Sequence, residues 1–227
     1  MKRVITALLA ALLALSLAAC GSRVETKKLA GTWTCTIDVT DRMNAAAEQA
    51  LGLSAADGTA QMPLQLVLTV AEDGAYTLRY DSDAVRTALD AYAAALHPAA
   101  VESVYAAAEE QGLSREEYDA AMEKAGITMD DMVAAIFAGV DEEELLSLLT
   151  GRSAALTGYC RAEGGQLYLA DTAADLTETA DCLSYTLSDG TMTWTDAQGE
   201  LSSQLTEQEQ ELLRVPLTWT KRAEESK

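Results

Sequence analysis

Hydrophobic and polar positions follow two different grammars along this chain. From Leu29 the apolar residues Trp33, Cys35, Ile37 and Val39 alternate with Thr34, Thr36, Asp38 and Thr40, the period of a half-buried strand. A second alternation runs through Leu64, Leu66, Leu68 and Val70, and a third through Tyr76, Leu78 and Tyr80, joined across Asp73-Gly74 as a hairpin. Between the first and second strands, the Ala-rich run from Asn44 to Leu53 predicts a short helix or ordered loop ending near Gly52. Strands return after Gly151. Tyr159-Cys160-Arg161 and Leu167-Tyr168-Leu169 flank Gly164-Gly165, while Leu183, Tyr185 and Leu187 lead through Asp189-Gly190 into Met192 and Trp194. Thr206 with Glu209 predicts a brief capped helix through Leu213, and Val215, Leu217 and Trp219 form a last strand.

The intervening stretch, 82–151, switches to Ala, Glu and Leu at helical spacing. Val85, Leu89, Tyr92 and Leu96 share a face of a helix running from Asp83 to His97, which Pro98 should stop; Pro98 then opens a second helix lasting to Gly112. Ser114 with Glu117 is a capping-box pattern for a third, closed by Gly126, and Thr128 and Asp141 are N-caps for two more before Gly151. The expectation is therefore an α+β fold: an eight-stranded antiparallel meander closing into a small barrel, with a helical insertion of four or five helices between strands three and four.

The chain has 227 residues, with 36 Asp+Glu against 16 Lys+Arg and a formal charge of −20. Without a basic stripe, that balance argues against nucleic-acid binding, which needs cations to displace phosphate counterions. A hydrophobic fraction of 49% is too high for a disordered acidic chain. The first residues add an address. Met1-Lys2-Arg3 precedes an apolar run from Val4 to Leu17, about 21 Å long as a helix and short of the ~30 Å hydrocarbon core. It reads as an export signal over 1–19.

That run ends in Leu17-Ala18-Ala19-Cys20, which resembles the lipobox of bacterial lipoproteins. The resemblance implies signal removal and a diacylglyceryl-modified Cys20 as the new N-terminus, anchored in a membrane on its extracytoplasmic face; two acyl chains hold stably where one does not. Residues 20–28 then form a lipidated tether, 29–222 the folded domain and 223–227 a polar tail. Losing Lys2 and Arg3 takes the formal charge to −22.

Gly31-Thr32-Trp33 at the start of the first strand resembles the G-x-W signature of lipocalins. In that family the Trp closes one end of the barrel and a basic residue from the last strand packs over it. The resemblance implies that role here for Gly31, Trp33 and Trp219 with Lys221 or Arg222, and a partner that is a small apolar ligand or a cell-envelope protein. Ordinary lipocalins lack a helical insertion at this place. The apolar interior is either filled by its own side chains or lines a pocket; in the first case the helices would serve as an interaction surface.

Catalytic chemistry finds little support. His97, the only histidine, stands beside Pro98, and no nucleophile elbow, zinc-binding His pair or phosphate loop occurs. The acidic pairs and runs at Asp130-Asp131 and Asp141 to Glu144 fall in first helical turns, where carboxylates meet the dipole favourably. Asp81-Ser82-Asp83 lacks the Gly and Glu spacing of a calcium loop. No metal or other cofactor is implied. Three cysteines are left beside Cys20. With Tyr159 and Leu183 facing inward, Cys160 and Cys182 both point outward and become the candidate disulfide, Cys35 lying inward with Trp33; the alternative is three reduced thiols.

Overall fold

The computed structural model describes residues 25–53, 60–138, 155–177, 180–196 and 213–223. The export signal, Cys20, the helices expected after Asp141 and at Thr206, and residues 224–227 of the tail lie outside the described residues. Eight antiparallel strands form a closed barrel in sequence order: β1 (Gly31–Asp38), β2 (Pro63–Val70), β3 (Ala75–Tyr80), β4 (Leu156–Glu163), β5 (Gln166–Ala170), β6 (Asp181–Ser188), β7 (Thr191–Asp196) and β8 (Leu217–Lys221). β8 returns to β1, with Trp33 opposite Lys221 and Thr34 opposite Thr220. Closure leaves no sheet edge to template association.

Alternation places the core. Trp33, Cys35 and Ile37 on β1, Leu66 and Leu68 on β2, Tyr76 and Leu78 on β3 are buried, as are Met192 and Trp194 on β7 and Trp219 on β8. Strand β4 departs from the expected phase. Its buried residues are Gly158, Cys160 and Ala162, while Tyr159 is half-exposed. The reason is steric. Gly158 lies opposite Tyr76, and a Cβ on it would come within 3.0 Å of the Tyr76 ring and 2.6 Å of the Ala170 carbonyl oxygen. Tyr76 fills the space on that side, so the position of Gly158 admits no side chain.

The helices are α1 (Thr40–Leu51), α2 (Ser82–Glu110), α3 (Arg115–Ala125) and α4 (Met129–Phe137), with a short 3-10 turn at Ala173–Asp175. Helix α1 ends at Gly52 in the left-handed region. Pro98 does not stop a helix: α2 runs through it. A mid-helix proline removes one hydrogen bond and crowds the preceding turn, but Tyr92 and Leu96 before it and Ala100 and Ala108 after it are all buried. Packing on both sides of the proline carries the helix across. The Ser114–Glu117 and Thr128–Asp131 capping boxes open α3 and α4.

The chain divides into two compact units, and the division falls inside β1 and β2. One holds the described residues of Met1–Cys35, Leu66–Tyr80 and Ala154–Lys227, including most of the barrel. The other holds those of Thr36–Gln65 and Asp81–Ser153, with all four helices. In this second unit Leu53, Ala100 and Val133 form a buried cluster flanked by Leu51, Val101, Met129, Ile136 and Phe137. Among the described residues no helix is long and apolar enough to cross a membrane.

Candidate functional site

The barrel's capped end is built from the glycine of Gly31-Thr32-Trp33. Gly31 has φ +127°, and a Cβ there would lie 2.7 Å from Lys221 Cε. The missing side chain makes room for the Lys221 stem, whose Nζ reaches 5.3 Å from the centroid of the Trp33 ring, within range of a cation–π contact. Of the two basic candidates, Lys221 is thus the one over Trp33. Arg222 is exposed, and its backbone N–H donates to the Thr32 carbonyl at 2.8 Å. Trp219, like Trp33, is fully buried, its ring 4.8 Å from that of Trp194.

Helical residues 25–29 cover the same end. The Trp33 indole N–H donates to the Leu29 carbonyl at 2.7 Å, Ala162 N–H donates to the buried Thr26 hydroxyl at 3.0 Å, and Gly164 N–H donates to the Glu25 carboxylate at 2.8 Å. Lys27 Nζ lies 3.7 Å from Glu72. The expected tether of residues 20–28 is therefore docked on the barrel from Glu25 onward.

Inside lies a cavity of about 30 Å³ whose lining includes Leu29, Leu68, Leu78, Leu167, Leu169 and Met192, together with Tyr76, Trp194 and Cys160. The lining is almost wholly apolar. Burial pushes the Cys160 thiol up to about 12, with the Asp73 charge adding to the shift, so it stays protonated and a poor nucleophile at neutral pH. Cys35 rises to about 11 through burial, against a lowering hydrogen bond with the Thr218 backbone. The Trp194 and Trp219 indole N–H groups are buried with no hydrogen-bond partner among the described residues.

No disulfide joins Cys160 to Cys182. Cys160 lines the cavity opposite Leu169, whereas Cys182 pairs with Tyr168, whose ring carries the Arg161 guanidinium at 4.8 Å. Directly opposed residues share a sheet face, and consecutive ones point to opposite faces. The two thiols therefore lie on opposite sides of the barrel wall. The candidate pairing rested on an inward Tyr159, and the reversed phase of β4 removes it.

Other candidates among the described residues make local contacts, while Asp141 to Glu144 lie outside them. His97 Nε2 lies 3.1 Å from Asp130 Oδ1 between α2 and α4, and Asp131 closes the α4 capping box. Asp81 is the N-cap of α2, accepting from Ala84 N–H. Among the described residues no group of three or more His, Cys, Asp or Glu side chains is placed to hold a metal ion. The cavity and the Thr26 and Glu25 contacts had no separate sequence signal, because each depends on residues far apart in the chain. No family model matches the chain, and no curated protein or solved structure matches it either.

Proposed function

We propose that the protein is a lipid-anchored extracytoplasmic lipoprotein whose lipocalin-like barrel is a non-catalytic binding module for a small apolar ligand or a cell-envelope partner. The observation that carries the reading is the apolar cavity under the capped end of the barrel. Gly31, Trp33 and Lys221 support the lipocalin-like assignment, since the glycine clears the path by which the last strand's lysine reaches the tryptophan. Leu17-Ala18-Ala19-Cys20 supports the anchor. A cavity of about 30 Å³ is small beside the ~300–1,000 Å³ of drug-sized sites. A guest of a few heavy atoms fits as it stands; a longer chain must displace adaptable side chains such as Met192.

That volume also favours a second reading, in which the barrel is a solid scaffold and the helical insertion between strands three and four presents an interaction surface. Native mass spectrometry of the protein extracted from its own membrane separates the two. A reproducible small-molecule adduct that is lost on delipidation supports ligand carriage. Its absence across independent extracts, with the barrel intact by circular dichroism, leaves the solid scaffold.

A further inference from the structure

We propose that a lipid bilayer surface is the partner of the barrel's capped end, with the β2–β3 and β4–β5 turns turned toward the headgroups; the inference rests on the reading of Cys20 as an acylated anchor. Antiparallel order gathers at one end the β2–β3, β4–β5 and β6–β7 turns, the start of β1 and the end of β8. Residues 25–29 are fastened to that end by Glu25 on Gly164, by Thr26 on Ala162 and by the Leu29 carbonyl on Trp33.

The chain from Cys20 to Glu25 is five peptide steps, about 17 Å at full extension. Strand β4 has eight residues, about 26 Å along the strand and about 20 Å along the axis of a tilted barrel. A tether fastened at the capped end is therefore too short to bring the opposite end to the bilayer. Charge agrees with this geometry. Lys27, Lys28, Lys221 and Arg222 gather at the capped end of a chain whose formal charge is −20. The carboxylates of Glu25, Glu72, Asp73 and Glu163 at the same end each meet a protein donor or cation, and Asp189 in the β6–β7 turn adds one exposed acid, so acids and bases there nearly balance. This is the part of the barrel least repelled by an anionic surface, and repulsion from the rest is screened over about a Debye length, ~8 Å.

The test uses full-length acylated protein in phosphatidylethanolamine–phosphatidylglycerol vesicles containing a headgroup-nitroxide lipid. In a Cys182→Ser background, with Cys35 and Cys160 buried, a fluorophore is attached through Glu72→Cys in the β2–β3 turn or Asp171→Cys after β5, both exposed and at opposite ends. Several-fold stronger quenching at position 72 than at position 171 is expected. Equal quenching, or stronger quenching at 171, on protein that floats with the vesicles overturns the orientation alone. Flotation reads the anchor separately: a chain starting at Gly21 should stay soluble, and its floating like the acylated protein overturns the anchor reading instead.

Discussion

The barrel unit and the helical unit solve the problem of staying folded by different physics. In the barrel unit the largest side chains, Trp33 and Trp219, are essentially without exposure, and the Thr26 hydroxyl and the Gly74 carbonyl accept hydrogen bonds from backbone groups distant in sequence. In the helical unit, α3 buries none of its own residues. It is held to α2 by a surface cluster: Arg115 pairs with Glu102 and Glu109 and lies 4.7 Å over the Tyr105 ring, while the Tyr105 hydroxyl donates to Asp119. Exposed ion pairs contribute little each. Burial with closure thus fixes one unit, and capping with short-range polar contacts fixes this part of the other.

Removing Trp33 should break the comparison most severely if it is mistaken. Trp33→Ala deletes a buried ring, its hydrogen bond and the Lys221 contact, and should cost about 3–5 kcal/mol in urea unfolding, whereas Tyr118→Ala on α3 should cost less than about 1 kcal/mol. Similar losses at the two positions would contradict the distinction.

Alkaline titration sharpens it next. Cys35 and Cys160 hold their protons to about 11 and about 12 when folded, whereas the unfolded chain releases them near 9. Raised folded values mean stability is kept below pH 9 and lost as pH rises, by about 1.4 kcal/mol per pH unit for each retained proton. Thiolate absorbance near 240 nm should stay flat for these two groups in the folded protein until about pH 11. The helical unit shows the opposite sign: Glu117 and Asp131 are held low by hydrogen bonds from Ser114 and Thr128. Their contribution is present above the ordinary carboxylate range and fades as pH falls through the lowered values; full exposure keeps it small.

Two glycines give a smaller contrast. Gly74 has φ +93° and a Cβ there would sit 2.4 Å from the Cys160 carbonyl oxygen, whereas Gly112 has φ +82° with nothing within 4 Å. Gly112→Ala should therefore cost about 1 kcal/mol from the backbone conformation alone. Gly74→Ala should cost more, because backbone must also move. Thermal unfolding of the pair reads the difference. Smallest of all, Thr128→Ala should cost about 1 kcal/mol or less, with local loss of α4 helicity and little change in the barrel.

The sequence made local rules legible and hid those that depend on distant neighbours. Eight antiparallel strands followed from period-two runs and from turn pairs such as Asp73-Gly74 and Asp189-Gly190, and the Ser114–Glu117 capping box and the Thr128 N-cap stood in their own short windows. Phase failed on β4 because the inward residues there, Gly158, Cys160 and Ala162, are small, and at Gly158 the missing side chain answers Tyr76 on another strand. Pro98 misled because a proline's local cost is visible in sequence while the burial that offsets it is not. In the capped end, Gly31 and Trp33 stood out as a pair, but the choice of Lys221 over Arg222 and the docking of Glu25 and Thr26 required the closed sheet.

Native-state hydrogen exchange, followed residue by residue, tests most directly whether closure and burial hold the barrel while local contacts hold α3. Amides of β3, β4, β7 and β8 should exchange only through global unfolding, sharing one free energy, while α3 amides exchange through local openings at a much lower one. Protection of α3 equal to that of these strands, or exchange of β8 as fast as α3, would contradict it.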